Sequence, residues 1–501
     1  VAEAIKHEHR ATLGSVARTI NGKLSGDDDT QVSDVTHDSR QAREGTLFAA
    51  VRGELLDAHS FVPQVMMNGA VGVISELECP PDFKGAWIEV GDIRRSMALA
   101  AAEVHNHPSR ELQLVGITGT NGKTTTTYLV AGITEAAGEP VAMTTTVEYR
   151  VDSVRWKAER TTPEATDMQR ILRRSVEAGC RVAVMESSSQ AIDLHRCDAL
   201  QYSVVVFTNL TRDHLDYHGT MDNYFAAKRR LFDGSLGGTP RFSIINVDDD
   251  RGRQLASELE GTGTQVVRYA LNGAADVTAT KIEHSLEGMR FTLHTPAGTR
   301  DLHSPLVGRP HIYNILAATA SGLSLGYDLD IVASAIEICA GAPGRFERVA
   351  HAGDFAVVVD YAHTDDALLN VLKTARDVTK GRIITVFGCG GDRDRSKRAP
   401  MGEAAASLSD VVILTSDNPR TEDPLRILAD VEVGMKETLK PYQKIADRRD
   451  AIGSAIREAR TGDLVIIAGK GHEDYQIIDR ETFHFDDKEV AREALASRGN
   501  G

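Results

Sequence analysis

A series of short apolar runs in this chain each stop at glycine or polar residues. LQLVGIT runs into Gly119, RVAVM into Glu186, YSVVVF into Thr208 and FSIIN into Asp248 beyond Val247. FAVVV ends at Asp360, RIITVF at Gly388, VVIL at Thr415 and LVIIA at Gly469. Between them lie helix-like stretches such as KTTTTYLVAGITEAAG, closed by Gly138. Runs without polar alternation read as strands buried on both faces, and their alternation with helices predicts a parallel sheet covered by helices. In such sheets ligands bind beyond the C-terminal ends of the strands, where these polar residues fall.

Two interruptions divide the rhythm. Residues 277 to 308 (VTATKIEHS, GMRFTLHT, TRDLHSPLV) read as an antiparallel meander. GAPGRFERVA, with its Gly and Pro, reads as a linker. At 501 residues the chain is long enough for three domains. The expected fold is therefore α/β with three domains. Residues 1–110 form a smaller α/β domain built on TLFAAV, AVGVIS, AWIEV and the helix-like DIRRSMALAAAEVHN. Residues 111–343 form a central P-loop-type domain with a mostly parallel sheet, helices and the meander, and 344–501 a Rossmann-like α/β domain.

Asp and Glu outnumber Lys and Arg by 72 to 57, a net charge of −15 that argues against non-specific nucleic-acid binding. Five cysteines without a C-x-x-C pair read as free thiols in a reducing compartment. The first residues, VAEAIKHEHR, lack the apolar centre of a signal peptide, and no run approaches the ~18 apolar residues of a membrane span. The expectation is a cytoplasmic monomer acting on small molecules.

GITGTNGKTTTTYLV is the strand–loop–helix where chemistry concentrates. The pattern G-x-x-x-x-G-K-[ST] fails by one residue type, because Ile117 stands where the first glycine belongs. The physical needs of a phosphate site are still met. Gly119 and Gly122 permit close backbone approach, Lys123 supplies a cation, and Thr124 or Thr125 a hydroxyl for Mg²⁺. Four consecutive threonines are mediocre helix formers, so something besides propensity keeps them there. Elsewhere, Glu186 ends a buried strand and needs a partner, while Asp213, His214, Asp216 and His218 crowd TRDHLDYHG. Asp213 and Asp216 read equally well as caps or surface charges. Lys228, beside Arg229 and Arg230, reads by itself as a solvated basic face.

TGTNGKT, MESSSQ, FTNLTRDHLDYHG, YFAAKRRLF and DYAHTDDAL, in this order along nearly the whole chain, resemble the Mur ligases, ATP-dependent amide-forming enzymes of peptidoglycan synthesis. The family's shortened loop accounts for the missing glycine. The resemblance implies an ATP site made by Gly119, Thr120, Asn121, Gly122, Lys123, Thr124 and Thr125, with Asn246 and Asn314 near the adenine. Arg345, Asp360, Tyr361 and His363 then arrive from the C-terminal domain. It makes Lys123, Glu186, His214 and Lys228 the catalytic group. Mg²⁺ would be held by Thr124, Glu186, His214 and a carbamylated Lys228 (N6-carboxylysine), whose anionic carbamate replaces a cation unsuited to a metal.

The implied nucleotide-sugar substrate is UDP-MurNAc-L-Ala-D-Glu. Ser39 and Arg40 resemble the uridine region, and Thr161, Thr162, Ser188 and Arg196 the peptide contacts. The implied amino acid is meso-diaminopimelate, met by Arg393, Asp417, Asn418, Pro419, Arg420, Gly469 and Glu473. A guanidinium pairs bidentately with its far carboxylate, and Glu473 suits its distal ammonium. Two residues depart from the family: Gln190 stands where histidine is common, and His311 where many members carry asparagine. A lysine-adding relative, a folylpolyglutamate synthase-like ligase and a non-catalytic nucleotide-binding scaffold are the competing readings. The first differs at the DNPR segment, THDSR with DNPR and GKGHE speaks against the second, and the third predicts ATP binding without substrate-dependent phosphate release, which a phosphate assay would expose.

Overall fold

The computed structural model describes residues 11–53, 56–436 and 440–499. Its central sheet runs in the order Gln265–Tyr269, Phe242–Asn246, Val204–Phe207, Gln113–Thr118, Val182–Glu186, Val141–Thr144, Glu148–Val151, Val154–Lys157. Pairing is parallel from the first of these to Val141–Thr144 and antiparallel across the last two. Strand Gln113–Thr118 shows why the run Leu114, Val115, Gly116 and Ile117 has no polar alternation. Val115 and Ile117 pack on one face with Val130, Ile133 and Ile315, and Leu114 packs on the other with Met168 and Ile171. The antiparallel hairpin Glu148–Lys157 is invisible to a search for apolar runs, because Val154–Lys157 is largely exposed.

The meander forms a separate sheet of Thr278–Ser285, Gly288–Thr295 and Gly298–Ser304. Ala279, Met289, Phe291, Leu293 and Leu302 on its inner side join the central core. GAPGRFERVA is more than a linker: Glu347–Arg348 pairs antiparallel with Ala356–Asp360 at the edge of the C-terminal sheet. That sheet continues in parallel through Leu464–Ala468, Ile383–Phe387, Val411–Leu414 and Tyr442–Lys444. Two apolar layers cover it, one around Val358 and Ile466, the other around Val357 and Ile467. The five cysteines are free thiols. Among the described residues no helix is long and apolar enough to cross a membrane.

The N-terminal sheet places Asp34–Thr36 at one edge, followed by Thr46–Ala49, Gly72–Ser75, Ala86–Glu89 and Lys23–Ser25. Asp34 fastens this sheet to the central body. Its carboxylate accepts from Arg170 Nε at 3.0 Å, His105 Nε2 at 3.1 Å and Arg43 Nη2 at 3.1 Å. Arg170 belongs to the central helix Ala165–Glu177. Burial pushes the Asp34 pKa up, but the hydrogen bond from His105 and the charge of Arg170 outweigh it and hold it below the usual 3.8. Because the folded value is the lower one, this contribution is complete above the unfolded pKa and disappears as pH falls through the folded one. Asp34→Ala should cost about 3 kcal/mol at neutral pH, towards the low end for breaking a buried pair, since Arg43 and Arg170 keep solvent contact. Urea denaturation at pH 7 and pH 3 checks this: the difference between variant and parent should shrink in acid.

Candidate active site

The strand Gln113–Thr118 feeds the loop 119–122, and the helix Lys123–Ala136 leaves it. Both loop glycines are forced by close approach. A Cβ on Gly119 (φ +143°) would lie 1.8 Å from Thr208 Oγ1, and one on Gly122 (φ +88°) 2.4 Å from Asn314 Oδ1. The loop backbone is clamped by the segment after Val204–Phe207. Thr120 N donates to Asn209 O (2.9 Å), Asn121 N to Asn209 Oδ1 (2.9 Å), and Thr208 Oγ1 to Asn121 O (2.7 Å). The threonine run is buried and divides its hydroxyls: Thr127 Oγ1 donates to Lys123 O and Thr126 Oγ1 to Asn314 Oδ1, while Thr124 Oγ1 accepts from Arg345 Nη2 at 3.3 Å.

Two lysines converge on one carbonyl. Lys123 Nζ donates to Gly119 O (2.9 Å) and Thr120 O (2.8 Å), and Lys228 Nζ donates to the same Gly119 O (2.9 Å). Lys228 sits on the helix Met221–Arg229 and is 1% exposed, so the basic-face reading of YFAAKRRLF fails for it. Burial first, and the charge of Lys123 second, hold its pKa well below the ordinary lysine value. Lys123 is also depressed, by burial, with Glu186 and Asp213 opposing.

Glu186 is fully buried. Its Oε1 accepts from Thr146 N (3.0 Å), while Oε2 has no hydrogen-bond partner. An orphaned, fully buried carboxylate oxygen whose charge reaches the loop lysine Lys123 fits a hard cation as its missing partner. His214 lies in the left-handed region (φ +53°), and burial lowers its pKa against the opposing charge of Asp213. Among the described residues no three His, Cys, Asp or Glu side chains form a metal-holding group, so a cation here needs phosphate or water oxygens as well. His218 is turned away, its ring paired with Ser189 Oγ, and Asp216 is exposed.

Thr161, Thr162 and Ser188 form a hydrogen-bonded chain around Glu186, and Arg196 reaches it only through the Thr162 carbonyl at 3.5 Å. Thr162 Oγ1 donates to Glu186 O (2.8 Å) and accepts from Ser188 N (3.1 Å), and Thr146 Oγ1 bridges towards Thr161 and Glu186. Arg196 Nη2 is held by Glu164 at 2.8 Å. Ser39 and Arg40 stand apart on the N-terminal turn, where exposed Arg40 pairs with Asp38. Gln190 lies on the short helix Ser189–Asp193, and His311 is buried with Nδ1 unpartnered and its pKa pushed down to about 4 by burial.

From the C-terminal side, Arg345 stacks its guanidinium 4.5 Å from the centre of the Tyr361 ring. Asp360 accepts from Phe346 N (2.6 Å) and Ala362 N (2.8 Å), which fixes the backbone carrying Arg345. His363 bonds the Tyr361 carbonyl, and Asn246 spends its amide on Thr208 O and Asp248 N. Tyr361 Oη reaches Glu473 Oε1 at 3.5 Å, and Asn418 Nδ2 donates to Glu473 Oε2 at 3.1 Å. Burial raises the Glu473 pKa, helped by Asp417. Arg420 Nη1 donates to Gly391 O (2.7 Å), and a Cβ on Gly390 would lie between Arg420 and exposed Arg393. A Cβ on Gly469 would meet Asp417 Oδ2 at 2.6 Å, and Pro419 O packs against Gly391.

Sequence reasoning missed the group beneath these residues. Lys470 is fully buried, with Nζ on Asn418 Oδ1 (2.9 Å) and Tyr475 O (2.7 Å), and Arg448 is sealed against Asp487 at 2.6 Å. Lys470 was legible as the middle residue of AGKGHE. Arg448 and Asp487 had no local signal.

Profiles for the Mur ligase middle domain and for the Mur ligase glutamate ligase domain match residues 117–322 and 344–471. The chain belongs to the Mur ligase family. Among its curated relatives, UDP-N-acetylmuramoyl-L-alanyl-D-glutamate--2,6-diaminopimelate ligase of Solibacter usitatus is 47% identical, with 94% of each chain covered. The protein of that name from Geobacter metallireducens is 45% identical, covering 98% of this chain and all of its own. A solved structure of a ligase of the same name aligns with a TM-score of 0.69 at 32% identity, over 97% of this chain and 99% of the other.

Proposed function

We propose that this chain is an ATP-dependent ligase that joins meso-diaminopimelate to UDP-MurNAc-L-Ala-D-Glu in peptidoglycan precursor synthesis. It would work as a cytoplasmic monomer without a nucleic-acid partner. Residues 1–110 would receive the uridine end, 111–343 ATP and the peptide, and 344–501 the amino acid. One geometric observation carries the reading: Tyr361 has Arg345, which reaches Thr124 of the phosphate loop, on its ring and Glu473 at its hydroxyl. Groups suited to a transferred phosphate and groups suited to an incoming amine thus flank one side chain.

The D-Glu carboxylate attacks the γ-phosphorus of ATP, ADP leaves, and an acyl phosphate results. The amine of diaminopimelate then attacks the carbonyl carbon, loses a proton, and expels phosphate to leave an amide. Lys123 exchanges its two loop carbonyls for phosphate oxygens, and Arg345 exchanges Thr124 for the group in transfer. Glu186 Oε2, Thr124 Oγ1, His214 and carbamylated Lys228 would hold Mg²⁺, which supplies positive charge against the phosphoryl oxygens. Arg196, oriented by Glu164, holds the anionic peptide. Arg420 and Arg393 take the far carboxylate of diaminopimelate and Glu473 its ammonium.

The test is mass spectrometry of products from ATP, UDP-MurNAc-L-Ala-D-Glu and either meso-diaminopimelate or L-lysine. The diaminopimelate adduct should form with ADP and phosphate. Faster incorporation of lysine, or ATP binding without substrate-dependent phosphate release, would overturn the assignment.

A further inference from the structure

Asn121 has its backbone committed to the central body, while its side chain bonds both bodies. Its N–H donates to Asn209 Oδ1, and its carbonyl accepts from Thr208 Oγ1 and Asn209 Nδ2. Its amide Nδ2 donates to Thr211 Oγ1 at 3.4 Å within the central body and, at the shorter distance of 2.8 Å, to Asp366 Oδ2 of the C-terminal body. The same oxygen accepts from Thr211 Oγ1 at 3.0 Å. Asp366 lies in the first turn of the helix Asp365–Val378, capped by Thr364 directly after His363. One C-terminal carboxylate therefore collects two donors from the central body, one of them from the phosphate loop itself.

The two grips on this loop differ in kind. Arg345 holds Thr124 with a positive charge that phosphate oxygens would attract away. Asp366 holds Asn121 and Thr211 with a negative charge, which no phosphate can replace. A charge-assisted pair of hydrogen bonds is strong enough to bias docking of one body on another.

We propose that Asp366 is a positioning residue that couples the seating of the phosphate loop, through Asn121 and Thr211, to docking of the C-terminal body. In this way an acyl phosphate made at the loop is presented to the amino-acid site. The inference rests on the ligase reading above. Asp366 touches no reacting atom, so its removal should spare nucleotide binding to the central body and impair turnover.

Four proteins test this: the parent, Asp366→Ala, Thr211→Val and their double variant, with Asp365→Ala as control. Asp365 shares the first turn and its helix-dipole contribution but makes no hydrogen bond across the cleft among the described residues. For Asp366→Ala, kcat for amide formation should fall about 10- to 100-fold, the range for hydrogen bonds to a charged group. The Kd of β,γ-methylene-ATP should stay within about threefold, Asp365→Ala should match the parent, and the double variant should lose less than the product of the single losses. If Asp366→Ala lacks a cooperative melting transition, the isosteric Asp366→Asn replaces it. Equal losses in Asp366→Ala and Asp365→Ala, multiplicative losses in the cycle, or nucleotide affinity falling in step with kcat would each overturn the proposal. A parent protein that makes no amide would instead refute the underlying ligase reading.

Discussion

Lys228→Met should lower amide formation by about 10²- to 10³-fold, the range for losing one electrostatic stabiliser in a preorganised site, and yet be more stable than the parent kept free of CO₂, whose Lys228 is the unmodified amine. In the unfolded chain the amine is protonated below its ordinary value of 10.5, whereas burial and Lys123 hold the folded value well below that. Folding at neutral pH therefore favours loss of a proton from this group, and the lysine weighs against stability until pH rises past the unfolded pKa. Methionine fills similar volume without that burden. A lowered pKa favours the neutral amine that attacks CO₂, and a carbamate formed there would carry a negative charge suited to Lys123 and to a cation beside Glu186. Wild-type activity should accordingly fall in CO₂-depleted buffer and return with bicarbonate, while the variant responds to neither. Thermal melting and a phosphate assay on both proteins check the two halves. A variant that is less stable and fully active would show that Lys228 is structural.

Arg420→Ala should reverse the amino-acid preference. Its guanidinium is anchored on one side by Gly391 O and stands across Gly390 from Arg393, an arrangement suited to a carboxylate that lysine lacks. Losing a charge-assisted pair costs about 1.5–3 kcal/mol, so kcat/KM for meso-diaminopimelate should drop about 10- to 100-fold. With lysine, the parent leaves the guanidinium with Gly391 O but without the carboxylate it is placed to meet, and the variant has no such charge to strand, so lysine incorporation should hold or rise. Competition between the two amino acids, read by product mass, measures the ratio directly. An unchanged ratio would place the discrimination elsewhere.

The architecture was readable because its determinants are local. The buried strands of the central and C-terminal sheets that lead to the site announce themselves by apolar runs, and the polar residue that ends such a run is the one the sheet presents, as with Glu186 after RVAVM and Asp360 after FAVVV. The exposed hairpin after Val141–Thr144 was not readable, since Val154–Lys157 carries no apolar signature. In the site, the loop residues could be named from spacing and small side chains. Lys228 could not be separated from Arg229 by composition, because only the packing of Met221–Arg229 against the loop turns one inward and the other out. Asp366 and the Arg448–Asp487 pair depend on contacts between segments far apart in the chain, which no local pattern encodes.

The account stands on activation of a carboxylate by phosphorylation in the cleft around Lys123, Glu186 and Lys228. The direct measurement uses UDP-MurNAc-L-Ala-D-Glu labelled with ¹⁸O in the reacting carboxylate, turned over with ATP and meso-diaminopimelate. One labelled oxygen should appear in the inorganic phosphate and one should remain in the amide. Label in AMP, or phosphate released without any label, would contradict it.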